Sequence, residues 1–171
     1  MLSGTISSLT MTHQKHWEAY DGELEAGAEG EAQFSLKTTK NGVKYVEVDT
    51  DQNIFGQETD VKKMAGIVQR YIRQKLKQGK IEYAGIKVVE YTAGKYAHGG
   101  KSLGKSVGEA KMHAGTELLN ILKAMSFNFH SKDEKKHKRA KYGWDYYNVL
   151  IRYKDTWFCG LANVMKTEDG D

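Results

Sequence analysis

Proline is absent from all 171 residues, and cysteine occurs once, at Cys159. A single thiol excludes an intramolecular disulfide framework and any all-cysteine metal site. With no proline, tight turns fall largely to the 18 glycines, which reach positive φ at little steric cost. No run approaches the roughly 20 apolar residues that cross a bilayer, so no membrane partner is expected. Residues 1–16 show no apolar core behind an N-terminal charge, unlike a secretory leader, and the cytoplasm is the expected compartment. Hydrophobic residues make up 39% of the chain and charged residues 28%. That is enough apolar material for one core and too much for a disordered chain.

The modest net charge of +4 hides two unlike parts. Residues 1–60 carry 4 Lys/Arg against 11 Asp/Glu, and residues 61–171 carry 22 against 11. A basic segment attracts polyanions through counterion release, and nucleic acid is the commonest polyanion in a cell. The plainer reading is a lysine-rich solvated surface. Residues 1–33 form an acidic, Gly/Ala-rich segment with few large apolar groups, read as weakly structured. Such a segment is a linker, or an acidic strap that folds back over the basic half.

Residues 34–171 read as one α+β domain. Residues 34–36 begin an extended stretch, Asn41-Gly42 marks a hairpin turn, and residues 43–48 alternate like a strand. A helix begins at Thr59 or Asp60 and ends at Gly79, with Val61, Met64, Val68, Tyr71, Ile72 and Leu76 on one stripe. A strand region broken at Ala84-Gly85 runs over 81–91. A Gly/Lys/Ser loop spans 92–108. A second helix covers about 106–125, with Ser106 and Glu109 as a capping box. Residues 127–129 are a short strand, 130–141 a polar basic loop, and 144–153 and 156–164 a pair of strands joined by Lys154-Asp155. The expected architecture is two main helices packed on a mainly antiparallel sheet.

Metal chemistry finds little support. The six histidines are scattered, and residues 49–53 resemble the start of a calcium loop without its glycine and closing Glu. Turn chemistry accounts for that stretch. Gly99 with Gly104-Lys105-Ser106 matches P-loop spacing, yet no parallel α/β repeat follows. A looser role suits this loop: Lys95, Lys101 and Lys105 gather near a helix N-terminus and favour an anionic oxygen. The basic run 132–141, which contains His137 and Arg139, leads directly into Trp144, Tyr146 and Tyr147. Cations hold a sugar-phosphate backbone, and aromatic faces stack on unpaired bases. Histidine changes charge near neutral pH, which makes His130 and His137 candidates for proton transfer. Alternation puts Tyr147, Val149 and Ile151 on a core face, with Trp144, Tyr146 and Asn148 opposite.

The motif order Phe-Ser-Leu-Lys at 34–37, Lys-Tyr-Val-Glu-Val-Asp-Thr-Asp-Gln-Asn-Ile-Phe at 44–55, Glu-Tyr-Thr at 90–92, Lys-Met-His-Ala-Gly-Thr-Glu-Leu-Leu-Asn-Ile-Leu at 111–122 and Gly-Trp-Asp-Tyr-Tyr at 143–147 resembles a known group. These are prophage-encoded and polymorphic-toxin domains of the barnase–EndoU–colicin–RelE-like (BECR) nuclease fold. The likeness covers about residues 34–167. It implies a metal-independent ribonuclease without cofactor that turns the RNA 2′-hydroxyl on the adjacent phosphate, acting in its own or a recipient cell's cytoplasm. RNA and a cognate immunity or antitoxin protein are the implied partners. Carried over by motif position are Glu90 and Tyr91 for substrate binding, and Lys95 and Lys111 for the phosphate. In that group another apolar strand follows the last one seen here, so the resemblance implies either a fragment or a shorter sheet. A non-catalytic nucleic-acid- or protein-binding module of a phage polyprotein is the alternative. The ribonuclease reading expects the cations and imidazoles to converge on one concave spot, a cleft lined by Lys95, Lys111, His130 and Trp144, whereas the module reading expects a flat basic face with those residues dispersed.

Overall fold

The computed structural model describes residues 2–13, 35–48, 50–51, 53–79, 81–88, 100–134 and 140–168. Its elements are β1 (Leu2–His13), β2 (Leu36–Thr38), β3 (Lys44–Glu47), α1 (Val61–Gln78), β4 (Glu82–Tyr83) and β5 (Ile86–Lys87). Then come α2 (Gly100–Ala114), a 3-10 turn (Gly115–Glu117), α3 (Leu118–Ala124), β6 (Ser126–Ser131), β7 (Trp144–Tyr153) and β8 (Thr156–Glu168). The class is α+β.

The sheet is built around the β7–β8 hairpin. Its turn is Lys154-Asp155, both at positive φ (46° and 60°), which matches the right-handed twist of the flanking strands. Pairing runs from Tyr153↔Thr156 to Trp144↔Met165. The strand order is β2-β3-β7-β8-β1-β5-β4, with β6 pairing β7 off this path. Parallel pairs occur at β1–β5 and β3–β7, and the other pairings are antiparallel. The sheet is therefore mixed, with antiparallel contacts in the majority. One side of β7 is shared: β6 lies against 144–148 and β3 against 150–152.

Alternation along β7 buries Val149, Ile151 and Tyr153 on one face, where Phe158, Ala162 and Val164 of β8 and Val46 of β3 join them. Met64, Val68 and Ile72 of α1, Val107 and Ala110 of α2, and Leu118, Ile121 and Leu122 of α3 close this core. Burying such side chains is worth about 1.5–3 kcal/mol each before entropy is counted. The opposite face carries a smaller cluster, where Tyr45 meets Trp157 edge-on at 4.9 Å and Arg152 lies over the Trp157 ring.

The first helix forms as its pattern requires. Asp60 caps it, its carboxylate accepting from the Lys62 and Lys63 amides. Asn53 organises the turn before it, accepting from the Phe55 amide and donating to the Gly56 carbonyl; Asp49 and Gln52 of the 49–53 stretch lie outside the described residues. The Asn41-Gly42 hairpin also forms, with Gly42 at φ 83°.

Three expectations need correction. The second helix begins at Gly100, not near Ser106, and Glu109 closes no capping box. Its carboxylate instead accepts from Tyr153 Oη at 2.6 Å and Lys154 Nζ at 2.9 Å, tying α2 to the β7–β8 turn. The Tyr153 bond holds the Glu109 carboxyl below its ordinary range, and burial helps push the Tyr153 hydroxyl up to about 12. His130 and Ser131 belong to β6 rather than to a loop. Finally, residues 2–13 are not weakly structured. They form β1, inserted between β8 and β5 and paired with β8 from Leu2↔Glu168 to His13↔Phe158. A register shift between Ile6 and Ser8 explains why the sequence hides this strand. Apolar residues fall on even positions up to Ile6 and on odd positions from Leu9 to Met11, so no single period of two persists. The acidic run 14–34 lies outside the described residues.

Because β1 fills the gap between β8 and β5, removing residues 1–13 should abolish the cooperative urea transition followed by far-UV circular dichroism. A sharp transition at the wild-type midpoint would show β1 to be dispensable.

Candidate active site

The β6–β7 ribbon carries the candidate site. Its pairing is Ser126↔Asn148 and Phe127↔Tyr147, then Phe129↔Tyr146, His130↔Asp145 and Ser131↔Trp144. Asn128 is therefore an extra residue in β6, a β-bulge. Its effect is to reset the alternation. Phe127 packs edge-on against Tyr147 on the helix-bearing face, and strict alternation from there would turn His130 to the other face. The bulge returns His130 to the face of Asp145.

There His130 Nδ1 lies 2.7 Å from Asp145 Oδ1. A carboxylate only accepts, so Nδ1 carries the hydrogen and the neutral ring keeps its lone pair on Nε2. The other Asp145 oxygen, Oδ2, sits 3.2 Å from Lys166 Nζ. Asp145 is buried, with its side chain 12% exposed, whereas that of His130 is 46% exposed. The arrangement is an accessible imidazole whose tautomer and tilt are set by a shielded carboxylate, itself neutralised by a lysine. Such an arrangement leaves Nε2 chemically able to accept a proton.

The turn before β7 completes it. Gly143 has φ 80°, its amide bonds the Ala140 carbonyl, and its own carbonyl accepts from the Lys166 amide. A Cβ built here would stand 2.4 Å from the Ser131 carbonyl oxygen and about 3 Å from the Cε1–Nε2 edge of His130. Only glycine leaves room for the Ser131 carbonyl and the imidazole edge so close to this turn. Residues 132–143 join β6 to β7, and by sequence they hold six Lys/Arg against two acids. Both ends of this basic loop thus root beside His130 and Asp145. Trp144 Nε1 bonds Asp133 Oδ1 at 3.3 Å across the loop's base.

The other expected site residues do not gather around this dyad. Trp144 and Tyr146 project to the opposite face of the ribbon, where Tyr146 stacks on Phe129 with centroids 4.4 Å apart and planes 10° apart. The expected single concave spot is thus divided between two faces of one strand pair. Lys111 is buried in α2, 5% exposed, and burial pushes its pKa down to about 6. An amine in that state supplies no full positive charge to a phosphate at neutral pH. Lys101 and Lys105 fall within α2 rather than in a loop ahead of it. Glu90, Tyr91, Lys95, His137 and Arg139 lie outside the described residues. No group of three or more metal-ligating side chains occurs among the described residues.

The sequence reading missed Asp145 and Lys166. Asp145 sits within the quoted Gly-Trp-Asp-Tyr-Tyr motif, and its place on the core line of an alternating strand was the available signal: a carboxylate there needs a partner.

Two outcomes test this geometry. Gly143→Ala should cost more than about 1 kcal/mol from the positive φ alone, measured by urea unfolding, and should shift the His130 ring resonances. Unchanged resonances would show that the glycine does not shape the imidazole's seat. For Lys111, the unfolded amine stays protonated up to about its ordinary 10.5 and the folded one only to about 6. Between those values the unfolded state holds the extra proton, so stability should rise with pH. Lys111→Met should raise stability at pH 7 and flatten that slope.

No family model, curated protein or solved structure matches this chain.

Proposed function

We propose that the protein is a metal-independent ribonuclease of the toxin type, with His130 as its proton-transfer group and Asp145 as the residue that positions it. One observation carries the reading: an exposed imidazole bonded through Nδ1 to a buried carboxylate at the root of a strongly basic loop. The loop's cations suit a phosphodiester backbone. The motif resemblance to the BECR nucleases points the same way, and the α+β class is compatible with it.

In this reading His130 Nε2 removes the proton from a ribose 2′-hydroxyl. The oxygen forms a bond to the adjacent phosphorus, and the bond from phosphorus to the 5′-oxygen breaks. A 2′,3′-cyclic phosphate results, and the departing 5′-oxygen takes a proton from a second group, for which His137 is the candidate by sequence position. Asp145 steadies the imidazolium formed midway. The reaction needs no electron acceptor and no metal-bound water.

A second reading is a non-catalytic module that binds nucleic acid or a protein partner such as an antitoxin. It is favoured by Phe127 and Phe129, which stand 58% and 45% exposed on β6, a strand that pairs only with β7 among the described residues.

Mixed RNA incubated with the protein in excess EDTA separates the two. Cleavage is expected, with His130→Ala slower by about 100-fold or more, the scale of general acid–base catalysis. Asp145→Asn should fall by a smaller factor with little change in KM. Salt-dependent RNA binding without cleavage would replace the first reading with the second.

A further inference from the structure

The two faces of β6 offer two different chemistries to one strand of nucleic acid. On one face His130 stands with Asp145. On the other, the bulge sets Asn128 beside Phe129, opposite Asn148 and Tyr146. β6 pairs only with β7 among the described residues, so no described strand lies beyond its outer edge, and five of its six residues are exposed.

The stack of Phe129 on Tyr146 runs across the strands, from β7 towards that edge. Tyr146 occupies the inner face of the Phe129 ring, and Phe129 is 45% exposed. The outer face of Phe129 is therefore the open end of an aromatic stack. A further planar ring placed there would extend it, as unpaired bases do on aromatic side chains. Beside it, Asn128 Nδ2 donates to Asn148 Oδ1 at 3.3 Å in an exposed amide pair. That bond leaves the Asn128 oxygen and one or more Asn148 hydrogens to meet a base edge. By sequence, residues 132–143 between β6 and β7 hold six Lys/Arg against two acids, a charge complementary to phosphates.

We propose that single-stranded RNA crosses the free edge of β6, with ribose and phosphate on the His130 face and a neighbouring base stacked on Phe129 over Tyr146. Consecutive residues of an extended strand point to opposite faces, so Phe129 and His130 can engage the same polynucleotide only if it passes over the edge between them. A duplex cannot do this, because its bases are already stacked on one another. The inference deepens the ribonuclease reading but stands on the binding geometry alone.

The test is fluorescence anisotropy with a labelled 2′-O-methyl oligonucleotide, which cannot be cleaved, offered single-stranded and as a duplex. Single strands should bind at least 10-fold more tightly. Phe129→Ala should weaken single-strand binding by about 5- to 150-fold, the span of stacking one base, and leave the salt slope unchanged. Phe129→Trp should retain binding, and Tyr83→Ala, an exposed aromatic on the far edge strand β4, should bind as wild type. Circular dichroism melts of each variant show whether it is folded. Equal binding of duplex and single strand, or wild-type binding by folded Phe129→Ala, would overturn the proposal. So would size-exclusion evidence that a second copy occupies the β6 edge and excludes the oligonucleotide. Phe129-dependent binding without cleavage of ordinary RNA would leave this inference standing while the ribonuclease reading fell.

Discussion

The bond between His130 and Asp145 exists because β6 carries one residue more than the stretch of β7 it pairs with. A strand's side chains alternate, so a single added residue exchanges the faces of all that follow. Asn128 is that residue. Without it, Phe129 would turn to the helix-bearing face and His130 would stand opposite its carboxylate. The bulge thus sets both features of the edge, the imidazole dyad on one face and the aromatic stack on the other. Gly143 supplies the second condition, since any larger residue would occupy the space over which the ring lies.

The rest of the fold holds this edge in place. β7 is anchored on one side by ten register pairs to β8 and on the other by β6 and β3. Its inner face is locked by the core of α1, α2 and α3. At its far end, Glu109 binds both Tyr153 and Lys154, so the helix layer and the hairpin turn are joined there. Lys166, near the end of β8, reaches Asp145 and links the long central strands to the site. Regular strands carry the dyad, which fixes its geometry through sheet pairing.

The local elements were legible where one signal dominated. A cap at Thr59 or Asp60, which the structure resolves to Asp60, the apolar stripe of α1, the Asn41-Gly42 turn and the alternation of Trp144–Tyr153 all read directly from residue types. Features governed by a change of register were not. β1 was hidden by the shift after Ile6, and the face of His130 by the bulge at Asn128. The early start of α2 at Gly100 runs against glycine's weak helix propensity, which local reading cannot overrule. For the site, His130, Trp144 and Tyr146 were singled out from composition. Their separation onto two faces, the burial of Lys111 and the partnership of Asp145 with both His130 and Lys166 depend on pairing across the sheet, which no short motif records.

The chemistry of the RNA ends tests the central claim most directly. Mass spectrometry of fragments formed in EDTA should show 2′,3′-cyclic phosphates and 5′-hydroxyls, the products of attack by the ribose's own oxygen. Fragments ending in 3′-hydroxyl and 5′-phosphate, or intact RNA at every protein concentration, would contradict the role assigned to His130.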